Sequence, residues 1–546
     1  MQAGRLGRGM ILGAPRRGAA RAPARKNWRI ATTSRASVEA RTAALAARAA
    51  SSPGSPATLP ERRPAPPQVP EWGPVAPARR SSPSTLALRA AGVLALGAVV
   101  VSSALLAAGS ASHPNYYVPG RIGGWPSWLA GPFQGLGLSL GHNGFQTLTL
   151  VMGGGYLVLL LSARVLSPKA IALAIIAAHV VLMLGPPLIS QDVFGYLGFA
   201  RLGALHGLDP YSHVPAQAAG DPIYPFLGWP FSHPPYGPLF TLLSYAFVPL
   251  GLGGGVWAFK VLAMLASLLA IWLTARAARR MGHSARFAAV FVGLNPVLLE
   301  LAVGGDHNDT LVLLLLSLAL LLTAAPIAHA KAARPGNAPG ADPAPASPPP
   351  LRALDGAAAS LATAVGIKVS AGLVLPFLLA SPAPAGTRLE PRERFGLLLS
   401  ALGALAVVTA IGLVAFGSHV LGFLTAVHNE QQMVAVHSVP AETARLFALH
   451  GVPGWWRGVF IGAFVASMLV ALWCTVRGAD WRTAAGWATL ALILCTAWLL
   501  PWYAIWPLPL AALSRSRTLR AATLVFCAYA LMVHLPLAAG LLNPPQ

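Results

Sequence analysis

The chain is poor in charge, above all in negative charge, and poor in cysteine. Its 546 residues include 16 Asp and Glu against 39 Lys and Arg, and charged residues make up only 10% of the sequence. This is too little charge for the surface of a water-soluble protein. The three cysteines, Cys474, Cys495 and Cys527, have spacings that fit neither a metal knuckle nor a disulfide pair. We interpret them as packing residues of apolar segments.

Apolar residues dominate instead. Hydrophobic residues make up 55% of the chain, and the mean hydropathy is +0.61. Apolar runs near twenty residues recur along the sequence, and a run of that length is enough for a helix to cross a bilayer. We count about 11–13 such crossings. The sequence therefore predicts an all-α polytopic membrane protein, with one membrane domain over residues 86–546.

The basic charge is concentrated before the first apolar run. Residues 1–90 contain 16 of the 39 Lys and Arg but only 3 of the 16 Asp and Glu. Nucleic-acid binding is not expected, because neither aromatic interleaving nor a binding motif accompanies the arginines. A basic segment before a membrane span is typical of a cytoplasmic end. We predict that residues 1–85 form a disordered cytoplasmic tail, since they are rich in Ala, Arg, Pro and Ser.

The positions of Lys and Arg beside the spans predict which loops face the cytoplasm. By this criterion the loops 110–144, 189–238 and 417–456 face outward. Two apolar stretches, 239–252 and 356–380, do not fit strict alternation. We predict that 239–252 is interfacial or re-entrant and that 356–380 is a helical hairpin with Lys368 near its tip. Irregular backbone at membrane depth needs a protein or water-filled surrounding, which indicates a substrate cavity.

Residues 189–240 form a polar segment between apolar runs and contain Asp192, Asp209 and Asp221. Ser190 is expected to cap a helix that begins near Gln191 and ends at Gly207. Asp192 then has two interpretations. In the first it only complements the helix dipole. In the second its carboxylate enters a cavity at membrane depth, where acids are costly and therefore functional.

A second polar cluster lies between two apolar runs. In the sequence LELAVGGDHNDTLVL, the residues His307, Asn308 and Asp309 can contact a substrate. Alternatively Asp306 or Asn308 caps the following helix, or His307 and Asp309 ligate a metal. Lys368 interrupts another apolar run. It either snorkels towards the membrane surface or holds a phosphate.

Five segments in order carry a resemblance to a known family. They are QDVFGYLGFARLGALHGLDPY, HPPYGPLF, LNPVLLELAVGGDHNDTLVL, GIKVSAGLVLPF and PWYAIWPLPL. The series resembles the bacterial polyprenol-phosphate-mannose α-(1→6)-mannosyltransferases, which are membrane glycosyltransferases of the GT-C fold. The resemblance covers residues 86–540.

The resemblance implies a GT-C-like fold with a large extracytoplasmic loop after an early helix. It places the catalytic acid at Asp192, a GxHND-like segment at 304–309 and the lysine of a later span at Lys368. Relatives often have paired acids where this chain has Gln191 followed by Asp192. The pair is absent here, so Asp192 has to act with a distant partner or alone.

The available side chains fit sugar transfer from a lipid phosphate. The phosphate leaving group needs no general acid, so one carboxylate and one cation suffice. We assign Asp192 as the base that takes the acceptor proton and Lys368 as the phosphate-binding cation. The other candidate substrate-binding residues are Tyr196, Arg201, Asp209, Tyr211, Tyr236, His307, Asn308, Asp309, Trp502 and Tyr503.

The expected partners are a polyprenyl-phosphate sugar donor, a glycan or glycolipid acceptor, and membrane lipid. We expect a multi-pass protein of the plasma membrane with an extracytoplasmic active site and an inverting, α-(1→6)-forming reaction. No cofactor is assigned, and a divalent cation, Mg²⁺ or Mn²⁺, stays an open alternative. A transporter or flippase of an amphiphilic envelope substrate is the alternative function, since buried acids also serve proton coupling.

Overall fold

A computed structural model describes residues 82–112, 125–324, 351–381 and 390–533. These residues all lie in one compact unit, Arg80–Gln546. The predicted tail lies outside the described residues as far as residue 81. Within the described ranges the secondary structure is entirely helical. This confirms the expected all-α class.

Eighteen α-helices are described. In chain order they are α1 Pro83–Ser112, α2 Ser127–Ala130, α3 His142–Ser162, α4 Pro168–Leu184, α5 Asp192–His206, α6 Pro238–Tyr245, α7 Gly251–Arg280, α8 Ala285–Gly293, α9 Asp309–Leu322, α10 Leu351–Val365, α11 Leu375–Ala380, α12 Pro391–Phe416, α13 Gly422–Gln432, α14 Val439–Leu446, α15 Gly454–Val476, α16 Trp481–Cys495, α17 Leu508–Leu513 and α18 Arg517–Met532. Shorter turns of 3₁₀-helix and one π-helix, Val297–Val303, connect them.

In the part of the chain that the structure describes, five helical segments are long and apolar enough to cross a membrane, or six if the bent pair at 285–303 forms one span. The five are Pro83–Ser112, Asn143–Ser162, Pro238–Arg280, Pro391–Gln432 and Gly454–Val476. The count expected from apolar runs was higher, about 11–13. The difference arises because several of those runs are short or broken helices, for example Asp309–Leu322 and Val369–Ala380. The protein is a polytopic membrane protein with an all-α fold.

Long helices pack pairwise to bury their apolar sides. Helix α1 lies against α3 and α4, α7 against α9, and α10 between α9 and α12. Near the other end of the chain α15 packs on α16. One large core runs through these helices. A second core, which includes Phe194, Tyr196 and Phe240, lies under the polar segment that follows α4.

The two apolar stretches that did not fit alternation contact each other. The backbone N–H groups of Gly237 and Leu239 donate to the carbonyls of Ile367 and Gly366, at 3.0 and 2.9 Å. The carbonyls at the end of α10 thereby pair with amides at the start of α6. A Cβ at Gly366 would come within 2.8 Å of Leu239, so only glycine allows this approach. Helix α6 has eight residues and is too short to cross a bilayer alone.

Candidate active site

A cavity of about 380 Å³ opens between the polar segment 189–240 and the second half of the chain. Its wall includes the start of α5, the loop before α6, the break between α10 and α11, the end of α13, and residues 492–506. The start of α5, the loop before α6 and the end of α13 belong to the loops 189–238 and 417–456, which the charge pattern predicts to face the same side of the membrane. The cavity therefore joins parts of the chain that are far apart in sequence.

Asp192 is the first residue of α5 and lines this cavity. Ser190 accepts the Asp192 N–H at 3.1 Å, and Gly207 ends the helix with φ +67°. The expected helix limits are thus confirmed within one residue, whereas the N-cap residue is Gln191 rather than the predicted Ser190 and makes no side-chain cap hydrogen bond. The Asp192 side chain is 15% exposed, and its Oδ2 lies 3.3 Å from Nδ1 of His307. Nδ1 of His307 has no hydrogen-bond partner in the described part of the chain, so this contact is not a hydrogen bond.

His307 lies beside Asp192 and Trp502, both of which line the cavity. Its ring stacks on Trp502 with centroids 3.7 Å apart and planes 20° apart, and both ring nitrogens are buried without a hydrogen-bond partner in the described part of the chain. Tyr196 fixes the neighbouring residue, because its hydroxyl accepts the Asn308 N–H at 3.3 Å. Tyr196 is buried, so it holds the loop that contains His307 and Asn308 from the protein interior.

Lys368 is held by Asp309. Its Nζ lies 3.0 Å from each carboxylate oxygen, and Trp506 Nε1 donates to Oδ1 at 2.6 Å. The ammonium also sits over the Tyr503 ring, 4.6 Å from the centroid. An ammonium has three N–H donors. Two are directed to Asp309, which leaves one for a ligand in the cavity that Lys368 lines.

A buried ion pair fixes the loop that contains His307. Nζ of Lys260 lies 3.0 Å from Oδ2 of Asp306, and both side chains are completely buried. Asp306 has φ +59°, a left-handed conformation that Asp tolerates better than most residues. The pair joins α7 to the turn just before His307. Neither Lys260 nor this role of Asp306 was predicted from the sequence.

The predicted site residues fall into three groups. Those that line the cavity are Asp192, Tyr236, Lys368, Trp502 and Tyr503. The second group does not line the cavity but contacts the residues that do: His307 contacts Asp192, and Asp309 contacts Lys368. Tyr196 and Asn308 are joined to each other by a hydrogen bond next to this pair of contacts. Arg201, Asp209 and Tyr211 do not line the cavity.

The third group, Arg201, Asp209 and Tyr211, forms hydrogen bonds away from the cavity. Arg201 Nε donates to Asp221 at 2.8 Å, and His206 contacts the other oxygen at 2.8 Å. Burial favours a higher pKa for Asp221, but these hydrogen bonds outweigh it and the pKa lies below its usual value. Asp209 accepts the Tyr211 N–H at 2.8 Å. These contacts stabilise the segment 201–221 and are not part of the cavity wall.

Sequence reasoning missed Glu430 and Trp498, which both line the cavity. Glu430 lies near the end of α13, more than sixty residues from both Lys368 and the segment PWYAIWPLPL. No spacing pattern marks it. The only available signal was that 417–456 is predicted to face outward together with 189–238.

Several polar atoms around the cavity are unpaired. The indole N–H groups of Trp498 and Trp502 and the hydroxyl of Ser370 are buried, belong to lining residues and have no hydrogen-bond partner among the described residues. Buried polar groups are normally paired. A hydroxyl-rich ligand with an apolar face fits such a lining.

The described ranges hold no group of three or more His, Cys, Asp or Glu placed to bind a metal. A divalent cation, the alternative left open by the sequence, would take further ligands from substrate or water. The chemistry of the lining is that of a carboxylate, a cation and aromatic rings around one space.

Comparison with known proteins agrees with this chemistry. Residues 89–384 match a family model described as alpha-(1->6)-mannopyranosyltransferase, N-terminal domain, and residues 451–546 match the MptB C-terminal domain. No solved structure matches the chain.

Curated relatives agree as well. The chain is 27% identical to alpha-(1->6)-mannopyranosyltransferase A of Mycobacterium tuberculosis over 477 residues, which cover 81% of this chain and 83% of that protein. It is 31% identical to alpha-(1->6)-mannopyranosyltransferase B of Corynebacterium glutamicum over 141 residues, 24% of this chain and 23% of that protein. The first family model alone covers more than half of the sequence. The chain therefore belongs to the alpha-(1->6)-mannopyranosyltransferase family and is a membrane glycosyltransferase.

Proposed function

We propose that the protein transfers a mannosyl residue from a polyprenyl-phosphate donor to a glycan or glycolipid acceptor, at the extracytoplasmic side of the plasma membrane. The observation that carries this proposal is that Asp192 and Lys368 line one cavity together with aromatic rings. The family membership supports mannosyl transfer and favours an enzyme over the transporter alternative. The donor, the stereochemistry and the side of the membrane are our inferences.

The proposed reaction is a direct displacement. The acceptor hydroxyl oxygen attacks the anomeric carbon, and the bond from that carbon to the phosphate oxygen breaks with its electron pair on the phosphate. The acceptor proton passes to Asp192, whose partly exposed carboxylate lines the cavity 3.3 Å from Nδ1 of His307. The free N–H of Lys368 stabilises the charge on the departing phosphate. Attack from the opposite face inverts the centre and gives an α product from a β donor.

The direct test is a transfer assay. Membranes containing the protein are incubated with radiolabelled polyprenyl-phosphate mannose and extracted envelope lipids. We expect label to move from the donor into the acceptor fraction, and membranes without the protein serve as the control. Label that stays in the donor at all protein levels would contradict the proposal.

Cysteine labelling tests the shared outward face. In a background without Cys474, Cys495 and Cys527, we expect Ser212→Cys and Gln432→Cys to react with an impermeant maleimide from outside, because both positions are exposed. They lie in the two loops, 189–238 and 417–456, that we predict to face outward. Ala479→Cys, exposed beside Arg477, is the inward control. Reaction of only one of the first two before permeabilisation would refute a cavity between loops on one side.

The Lys260–Asp306 pair gives a stability prediction. Lys260→Met leaves the Asp306 carboxylate buried without its cation, and breaking a buried pair in this way costs about 3–5 kcal/mol. We therefore expect a clear fall in melting temperature in detergent. The double variant Lys260→Met/Asp306→Asn removes both charges and keeps a residue that tolerates the left-handed turn, so it should recover much of the loss. Equal melting temperatures for Lys260→Met and wild type would show that the pair does not hold the loop.

A further inference from the structure

Glu430 is a second carboxylate in the cavity, outside every sequence motif described above. It lines the same space as Asp192 and Lys368 and is close enough to both, and to Asp309, to interact with them electrostatically. We propose that Glu430 binds hydroxyl groups of a sugar in the cavity and so contributes to recognition of a neutral hexosyl group. This role rests on the proposed transferase function.

The position of Glu430 in its helix gives no structural reason for a carboxylate. It lies two residues before the end of α13, where the helix dipole disfavours negative charge. Within the described ranges its carboxylate has neither a hydrogen bond nor an ion pair, although the residue is half-buried. Lys368 acts on this carboxylate only through electrostatics and without direct contact among the described residues, so part of the cost of burying it is not offset. A ligand that donates hydrogen bonds would remove this cost.

The backbone that presents Glu430 is fixed by its neighbours. Arg457 of α15 donates to the carbonyls of Gln431 and Gln432, the second at 3.0 Å. The Gln431 side chain accepts a hydrogen bond from Thr496 at 3.2 Å. The end of α13 is therefore tied to α15 and to the cavity wall that follows α16. A carboxylate on a fixed backbone can bind a ligand without a large ordering cost.

Charge decides which part of the substrates Glu430 contacts. In its ionised form, the Glu430 carboxylate only accepts hydrogen bonds and repels a phosphate. The donor phosphate is therefore expected at Lys368, and hydroxyl groups at Glu430. Trp498, whose indole N–H is unpaired, lies on the same wall and packs edge-on against Trp229 with centroids 5.8 Å apart. Carboxylate, indole N–H and aromatic faces together suit a hexose, which has both hydroxyl groups and an apolar face.

The test is Glu430→Gln in the transfer assay, with donor and acceptor concentrations varied separately. The change removes the charge but keeps the size. We expect KM to rise by about 10- to 100-fold for one substrate, the usual effect of losing a charge-assisted hydrogen bond, with kcat within a few-fold of wild type. A higher KM for the donor assigns the contact to the mannosyl group being transferred. A higher KM for the acceptor assigns it to the receiving glycan.

Glu393→Gln is the matched control, because Glu393 lies in the first turn of α12, does not line the cavity, and Gln can keep its contact with the Glu390 N–H. Glu430→Asp keeps the charge on a shorter side chain, so its KM should lie between those of wild type and Glu430→Gln. If Glu430→Gln does not fold, Glu430→Asp is compared with wild type in its place. Unchanged KM for both substrates overturns the proposal, and so does a fall in kcat alone, which would assign Glu430 to the reacting atoms. Failure of wild type to transfer label is a different result and bears on the proposed function itself.

Discussion

Asp192→Asn is expected to reduce mannosyl transfer by roughly 10²–10⁴-fold, the usual cost of losing a general base. The substitution keeps the size of the side chain and its place at the start of α5. It removes only the ability to take the acceptor proton. Protein yield and melting temperature should therefore stay near the wild-type values, while turnover falls.

The control for this variant is the same chemical change outside the cavity. Asp480 caps α16 by accepting the Thr483 N–H, and Asn is an equally good cap. Asp480→Asn should transfer at the wild-type rate. If Asp192→Asn also stays within about threefold of wild type, Asp192 only complements the helix dipole and the general base lies elsewhere.

Lys368→Met is expected to raise the KM for the lipid-phosphate donor and to lower kcat, because Lys368 supplies the only cation that lines the cavity among the described residues. Lys368→Arg should keep part of the activity, since it retains the charge with a different geometry. The measurement is steady-state kinetics with the donor concentration varied.

A double variant controls for the loss of the contact between Lys368 and Asp309. Removing the Lys368 ammonium leaves Asp309 buried with Trp506 as its remaining hydrogen-bond donor in the described chain. The double variant Lys368→Met/Asp309→Asn removes that unpaired charge. If it recovers protein yield but not donor KM, the phosphate contact is separated from loop stability. Wild-type donor KM and turnover in Lys368→Met would contradict the phosphate-binding role, as expected for a lysine that merely snorkels.

Part of this site could be predicted from the sequence because local rules apply to it. The helix from Asp192 to His206 follows from a serine before it and a glycine after it. The break near Lys368 follows from basic residues on both sides of an apolar run. Such rules act over a few residues. They therefore identified the segments that form the site but not the contacts between those segments.

The contacts themselves depend on residues distant in sequence. Lys368 and Asp309 are 59 residues apart, and Trp506 and Asp309 are 197 apart. Glu430 has no local pattern at all. Arg201 was a candidate for substrate contact, but its partner is Asp221 in the loop that follows α5. Whether such a residue reaches the cavity or a neighbouring side chain is decided by how the loops pack in three dimensions.

The backbone bonds that join residues 237–239 to 366–367 also determine how the cavity can deform. Each irregular segment supplies hydrogen-bond partners that the other lacks, so separating them would expose unpaired amides in an apolar surrounding. Tyr236 and Lys368, the neighbours of this junction, therefore move as one piece. We expect any widening of the cavity to come instead from the rest of its wall, which includes the end of α13 with Glu430.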